Sequence, residues 1–404
     1  MSINNEYTHR NELSPFGIYL TFKSNFMQMK QVHVLFILFL LLSACAGRQD
    51  NKNVTTTNEE KGDTVKMVSP LISGESFYKE KDPFNGIKEL TGTNITGDTA
   101  IFKIGETEML VKGNYLIAKN RYYNGDLLML FSLPDLKLIK TFGRSGKGPG
   151  ELMYPHLVKT DDPDLLCYVF ESTSQQLYSV DYSGKMQLMD MQFTDKKGGW
   201  FSDKQIVHVG GNTFLYVESS SNGKSIFHTE INKDSTQVKE IYSLSLNPKQ
   251  KSWTAYMGDF AVNTEKDRMV YAYKYFKIVK FMDMNADSVR TINFERNTFD
   301  DTSPYRVDGM DGNITHYWGI CSQPDYVYIL YSGRTPYDVS KEWQKHQYYI
   351  FVEQYDWDGN PIQKMKLDRW GYFTVDEERQ QIILASLSDD DPFLVYSIPE
   401  PDKK

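Results

Sequence analysis

Three histidines open the question of what chemistry this chain can do. His156, His208 and His316 each fall near the start of an apolar, strand-like run, and neutral imidazoles brought together are common metal ligands. They would have to share a face of their strands, because side chains alternate along a strand and a slip of one residue removes any of them. No carboxylate pattern accompanies them, and neither C-x-x-C nor H-E-x-x-H occurs. The expected state is therefore solvated or core histidine, with no metal and no cofactor. All three remain ligand-binding candidates. Tyr317 and Trp318 join them, since aromatic rings ahead of a strand can stack on sugars or peptides. Arg144 is the last candidate, within the glycine-rich segment Gly143-Arg-Ser-Gly-Lys-Gly-Pro-Gly150. That segment lacks the spacing of a phosphate loop and is followed by Glu151 and Pro155 rather than by a helix, so a tight turn is the expectation. The acidic run Ser388-Asp-Asp-Asp391 lacks the alternating ligands and glycine of a calcium loop. No nucleophile–base pair or acid pair stands at a telling spacing, and no catalytic residue is assigned.

The remaining motif concerns location. Val34-Leu-Phe-Ile-Leu-Phe-Leu-Leu-Leu-Ser-Ala-Cys45 is a short apolar run ending in small residues and a cysteine. It is too short to span a bilayer, which needs about 20 apolar residues, but it suits the core of a secretory signal. Leu42-Ser43-Ala44-Cys45 resembles the lipobox of bacterial lipoproteins, with cleavage before Cys45 and lipid on its thiol. Residues 1–44 are read as the signal region, translation starting at Met27 or Met29. Residues 45–81 follow as lipidated cysteine and linker, polar and turn-rich at first and too poor in apolar residues to fold. Three short stretches, Asp63-Thr-Val65, Asp98-Thr-Ala100 and Asp287-Ser-Val289, resemble a bacterial O-glycan acceptor motif.

From residue 82 to 404 the elements that must position the candidates are β-strands. Aromatic residues make up 14% of the chain, a richness that favours pleated faces, and short apolar runs alternate with Gly, Asp, Asn and Pro turns without helical periodicity. One unit recurs six times: an apolar strand, a polar turn and a second strand. Taking Phe131, Tyr178, His228, Lys280, Phe351 and Leu394 as equivalent points, the intervals are about 40 to 50 residues, the length of a propeller blade. A longer interval carries an insertion near 333–347. The sixth repeat runs out of chain after its third strand, so the segment 82–95 is expected to supply the fourth. The fold expected is all-β, a six-bladed β-propeller closed by an N-terminal strand, which removes the open sheet edge. Cys167 and Cys321 lie in different repeats and are expected as small hydrophobes rather than a disulfide.

Thr141-Phe-Gly-Arg-Ser-Gly-Lys-Gly-Pro-Gly-Glu-Leu-Met-Tyr-Pro155 resembles the blade connection of NHL-type propellers. With the lipobox and the stretch from Tyr317 to Gly333, the chain is similar to the TolB-like six-bladed propeller lipoproteins of the Bacteroidota. That resemblance implies a lipid-anchored envelope protein without an established reaction. A net charge of −8 argues against a nucleic-acid binder, which needs a basic face. The expectation is a binding module for an envelope protein or glycan, tethered to the outer membrane through Cys45 and facing the periplasm or the exterior. A channel-centred lyase or hydrolase is the alternative. The sequence leaves ligand and oligomeric state open.

Overall fold

The computed structural model describes residues 69–79, 82–95, 107–123, 125–192, 205–232, 235–247, 249–250, 252–294, 299–303, 310–389 and 393–402. Cys45, the signal region, most of the linker, and the motifs at 63–65 and 98–100 lie outside the described residues.

Six antiparallel sheets follow one another along the chain. Blade 1 comprises Met109–Lys112, Tyr115–Tyr123, Asp126–Ser132 and Lys137–Arg144; blade 2 comprises Pro155–Val158, Leu165–Glu171, Gln176–Asp181 and Met186–Gln192. Blade 3 is Gln205–Gly210, Thr213–Ser220, Gly223–Asn232 and Ser235–Ser243, and blade 4 is Gly258–Asn263, Arg268–Tyr273, Ile278–Met282 and Val289–Asn293. Thr315–Ser322, Tyr326–Arg334, Ile350–Asp356 and Pro361–Leu367 form blade 5. Blade 6 has three consecutive strands, Gly371–Asp376, Gln381–Ser386 and Phe393–Ser397. All six repeat points of the sequence fall on third strands. The insertion in blade 5 is a short helix, Pro336–Trp343, opened by a capping box in which Thr335 accepts from the Asp338 amide.

The missing strand of blade 6 comes from the front of the chain, as expected, but it is brief. Thr93–Asn94 pairs antiparallel with Val395 and Leu394. The rest of the N-terminal segment has a further role. Gly74–Phe77 adds a fifth strand, parallel to Val289–Asn293, on the rim of blade 4. Ile87–Leu90 does the same for blade 5 along Lys364–Leu367. Among the described residues paired structure thus begins at Gly74, ahead of residue 82, and one strap binds blades 4, 5 and 6 in succession. Extended residues with free backbone groups extend an open sheet edge wherever they lie against it.

Closure depends on Gly92. A β-carbon there would sit 2.6 Å from Leu394 Cδ2 and 2.7 Å from Tyr396 Cζ, both on blade 6's third strand. Leu394 and Tyr396 are buried and cannot swing away. Gly92→Val is therefore expected to cost about 1–3 kcal/mol by overpacking, read as a lower urea midpoint; an unchanged midpoint would show that the two-residue strand does not hold the ring.

Between blades the wedges are filled with apolar and aromatic side chains. Tyr271 and Tyr273 of blade 4 are fully buried, and their hydroxyls donate to Tyr256 O at 2.6 Å and Leu244 O at 2.7 Å. Tyr275 and Phe276, which follow in the chain, are buried as well. Cys167 is buried within blade 2, where burial pushes its thiol up to about 12 against the attraction of Lys112; Cys321 is also a free thiol, on blade 5. The glycine-rich segment is the blade-to-blade turn expected of it: Gly143 has φ +72°, and Glu151 accepts the Gly148 amide at 2.8 Å.

Candidate functional site

The first strands of all six blades face a central cavity of about 490 Å³, within the size range of small-molecule sites. We call the end where these strands begin the upper end. Around the ring the wall comprises Glu108 and Met109 of blade 1, His156 and Leu157 of blade 2, Gln205 of blade 3, Asp259 and Phe260 of blade 4, Trp318 of blade 5, and Tyr372 and Phe373 of blade 6.

The lower end is crossed by side chains. Lys159 Nζ of blade 2 donates to Ser322 O at 3.0 Å and lies 3.3 Å from its Oγ. In a ring of six, blades 2 and 5 stand opposite, so this lysine is a strut across the channel. Asn263 of blade 4 donates to Pro324 O at 3.1 Å, and Thr264 donates to Asp161 Oδ2 at 2.6 Å. Cutting the strut with Lys159→Met is expected to leave the fold intact but speed exchange of the Ser322 and Gln323 amides in a hydrogen-exchange measurement. Exchange rates unchanged at both would mean that the strut does not hold the floor.

At the upper end a carboxylate and an imidazole form a pair. Glu108 Oε1 lies 2.8 Å from His156 Nδ1 and accepts Lys119 Nζ at 2.6 Å, while Oε2 accepts the Leu157 amide at 2.8 Å. Burial alone would raise the Glu108 carboxyl, but attraction from Lys119 and His156 outweighs it and holds the group well below the usual carboxylate range. An ionised carboxylate can only accept, so His156 Nδ1 carries the proton in this contact.

Asp259 is the opposite case. Burial pushes it up to about 6, against the attraction of Lys274 and Lys224. Gln205 Nε2 donates to Gly258 O at 2.8 Å and lies 3.4 Å from Asp259 Oδ1. Two buried oxygens of cavity-lining residues lack a partner: Gln205 Oε1 on blade 3 and Thr107 Oγ1 just ahead of blade 1. On blade 5, Trp318 packs against Trp370 with ring centres 5.9 Å apart and against Tyr372 at 6.3 Å. Lys274 Nζ lies 5.8 Å from the Trp318 ring centre.

Of the six candidates named from sequence, His156 and Trp318 line the cavity. The other four do not. His208 is wedged between Tyr168 and Phe214, its Nδ1 2.9 Å from Thr160 Oγ1 and its Nε2 3.0 Å from Gly211 O. It lies in the second half of its strand rather than at the start and packs into the wedge between blades 2 and 3. His316 and Tyr317 are buried in blade 5; burial and the nearby Lys277 lower His316 to about 3, so it is neutral. Arg144 projects from the outer strand of blade 1, with its Nε 3.8 Å from Glu151. Among the described residues no group of three His, Cys, Asp or Glu side chains could hold a metal ion.

Glu108, Gln205 and Asp259 escaped the sequence reading. A signal for some of them existed. Counting back about 22 residues from the repeat points of blades 1, 2, 3, 4 and 6 lands on or beside Met109, His156, Ile206, Asp259 and Tyr372. The insertion in blade 5 breaks that count.

The sequence profile of the family described as TolB-like 6-blade propeller-like matches residues 88–378. The chain belongs to this TolB-like propeller family. Two solved structures resemble this TolB-like chain in fold. A member of the DUF4221 family from Bacteroides vulgatus ATCC 8482 shares 12% identity with a TM-score of 0.52, covering 79% of this chain and 98% of that one. A protein described as exported, from Bacteroides fragilis NCTC 9343, shares 11% identity with a TM-score of 0.52, covering 81% of this chain and 100% of that one. No curated protein matches the chain.

Proposed function

We propose that this TolB-like propeller is a lipid-anchored binding module of the cell envelope, which takes an envelope protein or a glycan at the upper end of its channel. One observation carries the binding role: a cavity of about 490 Å³ that is strutted below and lined above by both aromatic rings and hydrogen-bonding groups. Ligand sites combine a mostly apolar wall with a few placed polar groups in this way, and a propeller supplies them from every blade on a rigid frame. The envelope location rests on Leu42-Ser43-Ala44-Cys45 and on likeness to a protein described as exported.

Two measurements test it. Cys45→Ser is expected to move the protein from the membrane fraction to the soluble fraction of lysed cells; a variant that still sediments with membranes would refute the anchor. Photo-crosslinking from a residue on the upper rim in intact cells is expected to trap a partner that Trp318→Ala loses. Crosslinks unaffected by that change would place binding elsewhere.

The Glu108–His156 pair favours a second reading, a lyase or hydrolase centred on the channel. A carboxylate-oriented imidazole and, elsewhere in the lining of the same cavity, a raised carboxyl are the parts of acid–base catalysis. Turnover of a captured glycan that His156→Ala abolishes, with capture itself intact, would favour this reading over binding alone.

A further inference from the structure

Blades 4 and 5 carry a fifth strand each, and their outer strands show what chemistry receives one. Glu75, added to blade 4, accepts Asn293 Nδ2 at 3.0 Å, and Glu89, added to blade 5, accepts Lys366 Nζ at 2.8 Å. Both receiving strands, Val289–Asn293 and Pro361–Leu367, carry Arg or Lys and no carboxylate. A glutamate on the added strand therefore meets no like charge across the pair.

Of the outer strands of blades 1, 2 and 3, one shares this chemistry. Lys137–Arg144 of blade 1 holds Lys137, Lys140 and Arg144 and no acidic residue. The outer strand of blade 2 contains Asp190, and that of blade 3 contains Glu240. Blade 1 also comes next in the ring after the strap's last contact. Ile95, whose amide donates to Phe393 O of blade 6, packs into the same apolar cluster as Leu138 of blade 1's outer strand.

This strand is open where the strapped ones are covered. No residue of the two receiving strands is exposed. Here Ile139 is 50% exposed, the side chains of Lys137 and Arg144 are 76% and 80% exposed, and among the described residues no strand pairs with the outer edge. The nearest carboxylates, Asp135 and Glu151, stand 3.7 and 3.8 Å from these two cations, beyond hydrogen-bond reach. Lys140 is turned aside to blade 2, where it donates to Ser183 O at 2.9 Å. Lysines on a sheet edge often keep other chains off, yet blade 5's edge carries two and still takes a strand, with a glutamate facing one of them.

We propose that the outer edge of blade 1 receives an extended, acidic segment of a partner protein, added in parallel as the strap is added to blades 4 and 5. Backbone pairing supplies the hold, and a carboxylate facing Lys137 or Arg144 supplies the selectivity, while an apolar side chain covers Ile139. The surface lies on the rim and is independent of the channel reading.

The test follows backbone amide exchange of the whole chain in detergent with two acetylated and amidated peptides of about eight residues, the length of this strand. One alternates valine with glutamate, the other valine with lysine. The glutamate peptide is expected to slow exchange within 138–143, saturably at up to millimolar concentration, and to leave the outer strands of blades 2 and 3 unchanged. The lysine peptide should do neither. Lys137→Glu with Arg144→Glu should weaken the glutamate peptide about fivefold or more and admit the lysine peptide. Both side chains are largely exposed, so the melting temperature of that variant should stay within a few degrees of wild type. Trp318→Ala should leave the protection unchanged, which separates this surface from the channel.

Several results overturn the proposal. Amides of 138–143 already protected without peptide would show that the chain itself fills the edge. No protection by the glutamate peptide, equal protection by both peptides, or protection indifferent to the charge reversal would remove the acidic segment. Self-association in sedimentation that the charge reversal abolishes would assign the edge to a second copy of this chain.

Discussion

Glu353→Ala is expected to lower stability by about 3–5 kcal/mol, because it leaves a buried lysine without its counter-charge. Glu353 is fully buried in blade 5, and Lys364 of the neighbouring strand is 6% exposed. Their charged atoms lie 3.0 Å apart. Around the pair, Tyr355 donates its hydroxyl to Glu353 Oε2 at 2.8 Å, and the Lys364 ammonium lies 4.3 Å from the Tyr331 ring centre and 5.1 Å from that of Phe351. Burial and the Glu353 carboxylate hold the Tyr317 and Tyr355 hydroxyls far above the usual tyrosine range. The single variant strands Lys364 among these rings. Asp82, 3.8 Å away on the N-terminal strap, is its remaining partner and sits near the surface. A double variant, Glu353→Leu with Lys364→Met, removes both charges and should recover most of the loss, since replacing a whole buried pair by apolar groups is often neutral or better. Urea denaturation of the wild type and both variants checks this. A single variant within about 1 kcal/mol of wild type would mean that the lysine escapes to solvent or titrates without cost.

Asp259→Asn is expected to stabilise the protein at neutral pH and to do nothing near pH 4. The native carboxyl titrates at about 6, whereas an unfolded chain's titrates at about 4. Between those values the native state binds a proton that the unfolded state does not, so Asp259's contribution to stability falls as pH rises through that window. Above it the cost is constant, at most about 3 kcal/mol for a shift of this size and less where the channel admits water. Asparagine cannot ionise and so avoids it. His316 works in the other sense: buried and neutral, its imidazole binds a proton in the unfolded state from about pH 6.5 downward, and stability falls as pH falls. The Asp259 effect is therefore read as the difference between variant and wild type at each pH, which cancels His316. A difference that is flat from pH 4 to pH 8 would refute the raised carboxyl. A gain at neutral pH would also show that Asp259 is held at a cost to the fold, as residues kept for a site often are.

Much of this molecule was legible along the chain. The six third strands were visible because each is an apolar run ended by a turn signal, such as Asp358-Gly359, and such local patterns survive without knowledge of the partner strand. The need for a borrowed strand in blade 6 followed from counting, since the last repeat ends three strands in. The count could not say that only Thr93 and Asn94 would fill that place, or that Gly74–Phe77 and Ile87–Leu90 would attach to blades 4 and 5. Parallel addition to a rim uses backbone groups, which leave little trace in side-chain pattern.

The site divides along the same line. His156 and Trp318 were picked out as residue types near strand starts, and both reach the channel. His208, His316 and Tyr317 have equally suggestive types and neighbours, yet they turn into the wedges, because one residue of register decides which face a strand side chain takes. Glu108 drew no notice: Lys119 reaches it across the first hairpin of blade 1, and His156, 48 residues away, reaches it only when blades 1 and 2 pack side by side. What the sequence determined by itself was the periodic part, the strands, their turns and their number, since each is set by neighbours in the chain. What the tertiary structure decided was which side chains share the channel and which charges cancel there, because those depend on register and ring closure, properties that no single repeat contains.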